Sequence, residues 1–158
     1  MNHPIKKGLG FGLASGIITT LGLIVGLNSG THSKSVILGG IFIIAIADAL
    51  SDSLGIHISE EVGNKKISEK HIWQSTFSTF FFKLIFALSF AIPILLFSLQ
   101  TAVIVSIIWG LVLLIIFSYY IAKQRKINPL KPILEHVAIA IIVIIITNFV
   151  GKWVSGLS

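Results

Sequence analysis

The chain predicts an all-α, polytopic membrane protein with five transmembrane helices and a cytoplasmic N-terminus. Three observations predict it. Of 158 residues, 54% are hydrophobic and 11% charged, where a soluble domain carries about 25% charged residues to cover its surface. The mean hydropathy is +0.97, far above that of chains whose solvent is water. The few charges fall mostly between apolar runs, so the runs read as spans and the charged stretches as loops.

A bilayer core about 30 Å thick takes about 20 helical residues. Runs near Leu9 to Leu27, Val36 to Ile58, Trp73 to Leu99, Ala102 to Ala122 and Ile133 to Trp153 meet that length. The first follows Lys6 and Lys7 in the manner of a signal peptide. It is Gly-rich, lacks a small-x-small cleavage site and leads into further spans, so it reads as a retained helix. The second carries Asp48 and Asp52. Pro93 in the third removes a backbone donor and marks a kink. The fourth has no ionisable residue from Ala102 to Phe117, and Asn128, Pro129 and Pro132 mark the turn before the fifth. The spans form a single transmembrane domain over residues 1–158, without an internal repeat.

Lys and Arg in short loops set orientation. Lys6, Lys7, Lys65, Lys66, Lys70, Lys123, Arg125, Lys126 and Lys131 fall on one side, against Lys34 and Lys152 on the other. The N-terminus is therefore placed in the cytoplasm and the C-terminus outside or in a lumen. The net charge is +6 and the pI about 9.8, but the cations flank apolar runs and form no basic tract. An anionic lipid surface fits them, and nucleic acid does not. With no cysteine there are no disulfides and no thiolate metal sites.

Asp48 and Asp52 do not belong in lipid. Each costs about 2.5–3.5 kcal/mol at the middle of a transmembrane helix, whereas a large apolar residue returns only about 0.3–0.6. Both must face protein or water. At 100° per residue, Ile44, Asp48, Ser51, Asp52, Gly55 and Ser59 share one helix face, with His57 opposite. In the first span Gly8, Gly12, Ser15, Gly16, Thr19, Gly26 and Gly30 share a side. Glycines spaced at four allow close backbone approach, so spans one and two are expected to pack together, hydroxyls beside carboxylates. Such a groove offers hard oxygen ligands, suited to Mg, Mn, Ca or Fe(II).

Two carboxylates one turn apart, about 6 Å, repel by about 3 kcal/mol at an effective dielectric near 20. A shared proton or an arriving cation relieves that repulsion, which is the chemistry of a cation/proton exchanger. Lys83 gives the competing reading. It lies about 12–15 Å into span three, near the depth of Asp52, so the two could form a purely structural ion pair. Around the cytoplasmic ends, His57, Glu60, Glu61, Glu69, His71, Glu135 and His136 could gather cations at an entrance, or be ordinary solvated charges.

At this point the sequence resembles the vacuolar iron transporter family. Gly12-Leu13-Ala14-Ser15-Gly16 is similar to the family's first-span motif. Ala49-Leu50-Ser51-Asp52-Ser53-Leu54-Gly55 with Ser59-Glu60-Glu61 is similar to the second. Ala91-Ile92-Pro93-Ile94-Leu95 resembles the third-span Ile-Pro element, and Asn128-Pro129-Leu130-Lys131 with Thr147-Asn148-Phe149-Val150-Gly151 resembles the fifth. The chain departs from the pattern where Ser15 stands for an aspartate and Asp52 for a methionine. The short stretch from Ser59 to Ile72 replaces a soluble Glu-rich metal-binding segment.

The resemblance implies a homodimeric, multi-pass membrane transporter that exports Fe(II) or Mn(II) from the cytoplasm in exchange for protons. It implies no resident cofactor, and a pathway at the dimer interface that brings the aspartates of two chains together. The membrane would be the cell membrane of a prokaryote, or a vacuolar or other endomembrane of a eukaryote. On this reading Asp48, Asp52, Ser51, Ser15, Glu60 and Glu61 handle metal, while Lys83, Gly12, Gly16 and Glu135 support them. The chief rival is a membrane transferase using the Asp-x-x-x-Asp pair, but no Asp-Gly with a following Ala-Arg and no second Asp-rich motif accompanies the pair. A structural subunit held by an Asp–Lys pair is the third reading. Transport without enzymatic activity is the leading one.

Overall fold

The computed structural model of the protein describes residues 2–63 and 67–157. Lys65 and Lys66, counted above among the loop cations, lie outside the described residues, as does Ser158. Helices run over α1 (His3–Thr31), α2 (Lys34–Gly63), α3 (Glu69–Ser89), α4 (Ala91–Leu96), α5 (Leu99–Gln124) and α6 (Leu130–Ser155), and no strand occurs among the described residues. With α3 and α4 counted as one span, five segments are long and apolar enough to cross a membrane.

The helices extend beyond the apolar runs. α1 has 29 residues, about 43 Å of helix, because hydropathy falls at the first polar side chain while backbone hydrogen bonding continues past it. α1 ends at Thr31, and His32, with a φ of 48°, reverses the chain. Thr31 Oγ1 accepts the Ser33 N–H at 3.3 Å, and α2 begins at once. The expected kink is a break at Phe90. Pro93 sits third in α4, where its missing N–H would have had no helical partner. α5 closes with Lys126 at φ 54°. There the Lys126 N–H donates to Lys123 O and the Ile127 N–H to Ala122 O, the paired bonds of a left-handed helix stop. Asn128 Oδ1 accepts the Leu130 N–H at 2.9 Å and starts α6.

The chain divides into two compact units, Met1–Thr20 with Ile41–Ala91 and Leu21–Gly40 with Ile92–Ser158. In unit 1 the buried face of α3 runs Ile72, Ser75, Thr76, Thr79, Lys83 and Ala87, a helical repeat of mostly small residues. The Thr76 and Thr79 hydroxyls donate to carbonyls one turn back, at 2.9 and 2.8 Å, so they are buried without cost to hydrogen bonding. Against this face lie the glycines of α1. A Cβ on Gly12 would stand 2.8 Å from Thr79 O and 2.9 Å from Lys83 N, and one on Gly16 3.1 Å from Lys83 O. The glycine stripe expected to seat α2 thus seats α3. Spacing announces a close-approach face, but which helix fills it depends on the small side chains opposite.

Unit 2 repeats the device with other partners. A Cβ on Gly22 would meet Val143, one on Gly26 would meet Thr147, and one on Gly30 would stand 3.2 Å from Gly151 O, all of them residues of α6. Ser29 Oγ donates to Asn148 Oδ1 at 2.5 Å. Ser118 of α5 and His136 of α6 share a hydrogen bond of 2.8 Å. Lys34 Nζ donates to the carbonyls of Leu95 and Phe97 at 3.1 and 3.0 Å, placing a cation at the C-terminal end of α4. Leu21, Ile24, Ile37, Ile94 and Leu114 are its fully buried large apolar side chains.

Large apolar side chains are also exposed along the spans, among them Ile43, Leu54, Ile116, Ile146 and Phe149. In water such faces would drive association; lipid is their natural solvent. The protein is a multi-pass integral membrane protein.

Candidate functional site

The largest fully buried side chain in unit 1 is a lysine. Lys83 is 1% exposed, and a lone ammonium removed from water costs several kcal/mol, so its surroundings must compensate. They do so from two other helices. Lys83 Nζ lies 2.6 Å from Asp48 Oδ2, is hydrogen-bonded to Asp52 Oδ2, and donates to Ser15 Oγ at 2.8 Å. Ser15 in turn donates to Asp52 Oδ2 at 2.7 Å. The Asp48 contact is an ion pair by distance; its Oδ2 has no aligned hydrogen bond.

Local sequence explains each placement. Asp48 and Asp52 are one turn apart on α2, so their carboxylates stack along one side of that helix. Ala45 and Ala49, both fully buried, are small enough to let this part of α2 pack closely. Ser15 lies on α1 next to Gly16, which leaves space for the Lys83 stem: a Cβ on Gly16 would stand 3.4 Å from Lys83 Cγ. Two carboxylates and one ammonium leave the cluster with a single net negative charge. The carboxylate side chains are 25% and 22% exposed, whereas that of Lys83 is 1% exposed.

The cluster brings together Ser15, Asp48, Asp52 and Lys83 among the residues singled out by sequence. It also corrects the reading of the acid pair. The charge between the carboxylates is the Lys83 ammonium, which contacts both of them and not Asp52 alone. The stripe proposed on α2 is divided. Ser51, Gly55 and Ser59 are exposed, and no atom lies near a Cβ built on Gly55. The buried line in this part of α2 is Ala45, Ala49, Ser53, Ile56 and Glu60. A wheel of polar residues marks what should avoid lipid, whereas close packing follows the small apolar residues beside it. Ser51 is therefore not among the groups around Lys83.

A second polar network closes the same unit at the C-terminal end of α2. Glu60, 7% exposed at its side chain, accepts from Lys7 Nζ at 2.9 Å and Ser75 Oγ at 3.3 Å, with His71 Nε2 at 3.9 Å. His57 Nδ1 shares a hydrogen bond of 3.0 Å with Thr76 Oγ1, and its Nε2 lies 3.5 Å from the exposed Glu61. Trp73 packs edge-on to the His57 ring at 4.7 Å. Glu60 is thus a buried partner of Lys7, a pairing the sequence reading missed. Its only signal was one cation and one acid at neighbouring helix ends. Glu135 is exposed on α6 in unit 2. Among the described residues, no three of His, Asp and Glu converge as a metal site, so any cation in the cluster would depend on the two aspartates and the Ser15 hydroxyl.

Compared with known families, residues 51–152 match the VIT family. The matched segment contains Asp52 and Lys83 and begins after Ser15 and Asp48. No curated protein matches the chain.

Proposed function

The chain belongs to the VIT (vacuolar iron transporter) family, and on that premise we propose that it carries Fe(II) or Mn(II) out of the cytoplasm in exchange for protons, as a homodimer. Membrane metal-ion transport follows from family membership itself, and with it the transferase reading falls away. The direction, the counter-ion, the choice of metal and the dimer are the proposal. The observation that carries it is the pair Asp48 and Asp52, one turn apart on α2, partly exposed and held in a cluster of net charge −1. Hard carboxylate oxygens beside a serine hydroxyl suit a hard or borderline divalent ion. Export from the cytoplasm is what the family resemblance implies; the basic loops flanking the spans orient the chain, with its N-terminus in the cytoplasm.

In this reading the metal binds the two carboxylates, and a proton returns as the metal leaves. Dimer formation would bring the aspartates of two chains together and double the ligands available. The Lys83 contacts also favour a second reading, in which the cluster only fastens α1, α2 and α3 together in unit 1.

Reconstitution decides between them. Proteoliposomes holding an internal pH dye should show uptake or release of Fe(II) or Mn(II), selected from a panel that includes Co(II), Zn(II), Mg(II) and Ca(II). A proton flux of opposite direction should accompany it. Metal flux without a pH change would remove proton exchange. No flux for any metal, from a protein that is folded and inserted, would leave the structural reading in place.

A further inference from the structure

The groups that would take a metal already hold a cation. An ammonium has three donors; that of Lys83 donates to Asp52 Oδ2 and Ser15 Oγ, and its charge lies 2.6 Å from Asp48 Oδ2. Gly16 makes room for its stem. The carboxylates remain partly exposed while the ammonium is enclosed. Neither Asp48 Oδ1 nor Asp52 Oδ1 has a hydrogen bond among the described residues, so each acid keeps one oxygen for a newcomer. If Lys83 stayed in place, an arriving divalent ion would meet a like charge at contact distance from its own ligands.

We propose that Lys83 is a tethered competitor of the transported cation: its ammonium holds Asp48 and Asp52 when no metal is bound, must be displaced for metal to bind, and thereby selects divalent over monovalent ions. This rests on the reading of Asp48 and Asp52 as the cation pair. The selection follows from charge and tethering. A side chain fixed beside its partners acts at a high effective concentration. Sodium or potassium brings the same single charge without the tether, and loses. A divalent ion brings twice the charge to the same two carboxylates, doubles the Coulomb attraction, and leaves the pair neutral. Displacement requires the enclosed ammonium to swing away from the carboxylates on its flexible four-carbon stem.

The test uses the full chain in mild detergent, with thermal unfolding followed against MnCl2 and NaCl and with choline chloride holding ionic strength constant. The wild-type Tm should rise with Mn(II) and be unchanged when Na+ replaces choline. Lys83→Gln keeps a donor and removes the charge. Its Mn(II) midpoint should fall at least tenfold, and Na+ should now raise its Tm. An unchanged or higher midpoint in a folded Lys83→Gln protein overturns the proposal. If neither protein responds to any cation, the cation-pair reading itself fails, a different outcome from a wild-type response that Lys83→Gln leaves unshifted. Should Lys83→Gln not fold, Lys83→Arg decides. A guanidinium grips carboxylates through two parallel bonds, so its Mn(II) midpoint must rise, and an equal or lower one overturns the inference.

Discussion

The two halves of α1 use one device for two ends. In unit 1, Gly8, Gly12 and Gly16 bring α1 against the backbone of α3; in unit 2, Gly22, Gly26 and Gly30 bring it against α6. The residue at the centre of the first contact is Lys83, and the charge it buries has Asp48 and Asp52 around it. The second contact centres on Thr147 and Gly151, with the neutral Ser29–Asn148 hydrogen bond beside them. Glycine spacing therefore sets how near two helices come and says nothing of purpose. The side chain on the facing helix decides whether the contact is packing alone or packing around charge.

Breaking the charged contact should have the largest effect. Asp48→Asn and Asp52→Asn should each fold and reach the membrane, yet lower metal flux in proteoliposomes at least tenfold, since each removes ligand charge from a pair. If the cluster is structural, Asp52→Asn should instead destabilise, and adding Lys83→Met should restore both stability and activity, as removing both members of a buried pair often does. A double variant that regains flux would end the transport reading of Asp52.

The glycine contacts come next, and Gly12 and Gly26 should differ in tolerance. Gly12→Leu drives a side chain into the backbone of α3, because even a Cβ would stand 2.8 Å from Thr79 O. It should cost at least about 1–3 kcal/mol of stability, the range for overpacking. Gly26→Ala places its Cβ at 3.4 Å from Thr147 O, ordinary contact, and should be close to neutral. Equal Tm losses for the two would show that the close approaches are not what holds either unit.

A smaller effect is expected within unit 2. Ser29→Ala deletes the donor to Asn148 Oδ1 and should cost about 1 kcal/mol, the net worth of a typical hydrogen bond, with flux unchanged. The smallest change has the opposite sign. Lys126 holds a left-handed φ of 54° at the end of α5, a conformation glycine adopts without a Cβ penalty. Lys126→Gly should raise the Tm slightly, by about 0.5 kcal/mol of stability once the freer unfolded chain is counted. A lower Tm would mean that the lysine side chain contributes more than its backbone strain.

Much of the site was legible in the sequence because its members break a rule. Asp48, Asp52 and Lys83 are ionisable groups inside apolar runs, and any such group must find a partner. The i, i+4 spacing of the acids put both on one side of α2 before any contact was known. What the spacing left open was rotation. Ser51 and Gly55 share the polar arc of α2 with the aspartates but are exposed, because the helix turns Ala45 and Ala49 inward. The Lys7–Glu60 pair escaped for a related reason: two charges at helix ends, 53 positions apart, look like any loop charges until the helices are aligned.

Membrane residence, the number of spans and the list of charges that need compensation were determined by the sequence alone. They depend on the cost of moving each residue from water into lipid, a cost that adds along a segment and needs no knowledge of its neighbours. Tertiary structure alone decided that α3 and not α2 fills the first glycine stripe, and that Lys83 reaches both aspartates. A three-way contact depends on the register and rotation of three helices at once. Those are set by which small side chains, Gly12, Gly16, Ala45, Ala49, Ser75 and Thr79, let backbones close to within contact, so that a buried ammonium and two carboxylates meet.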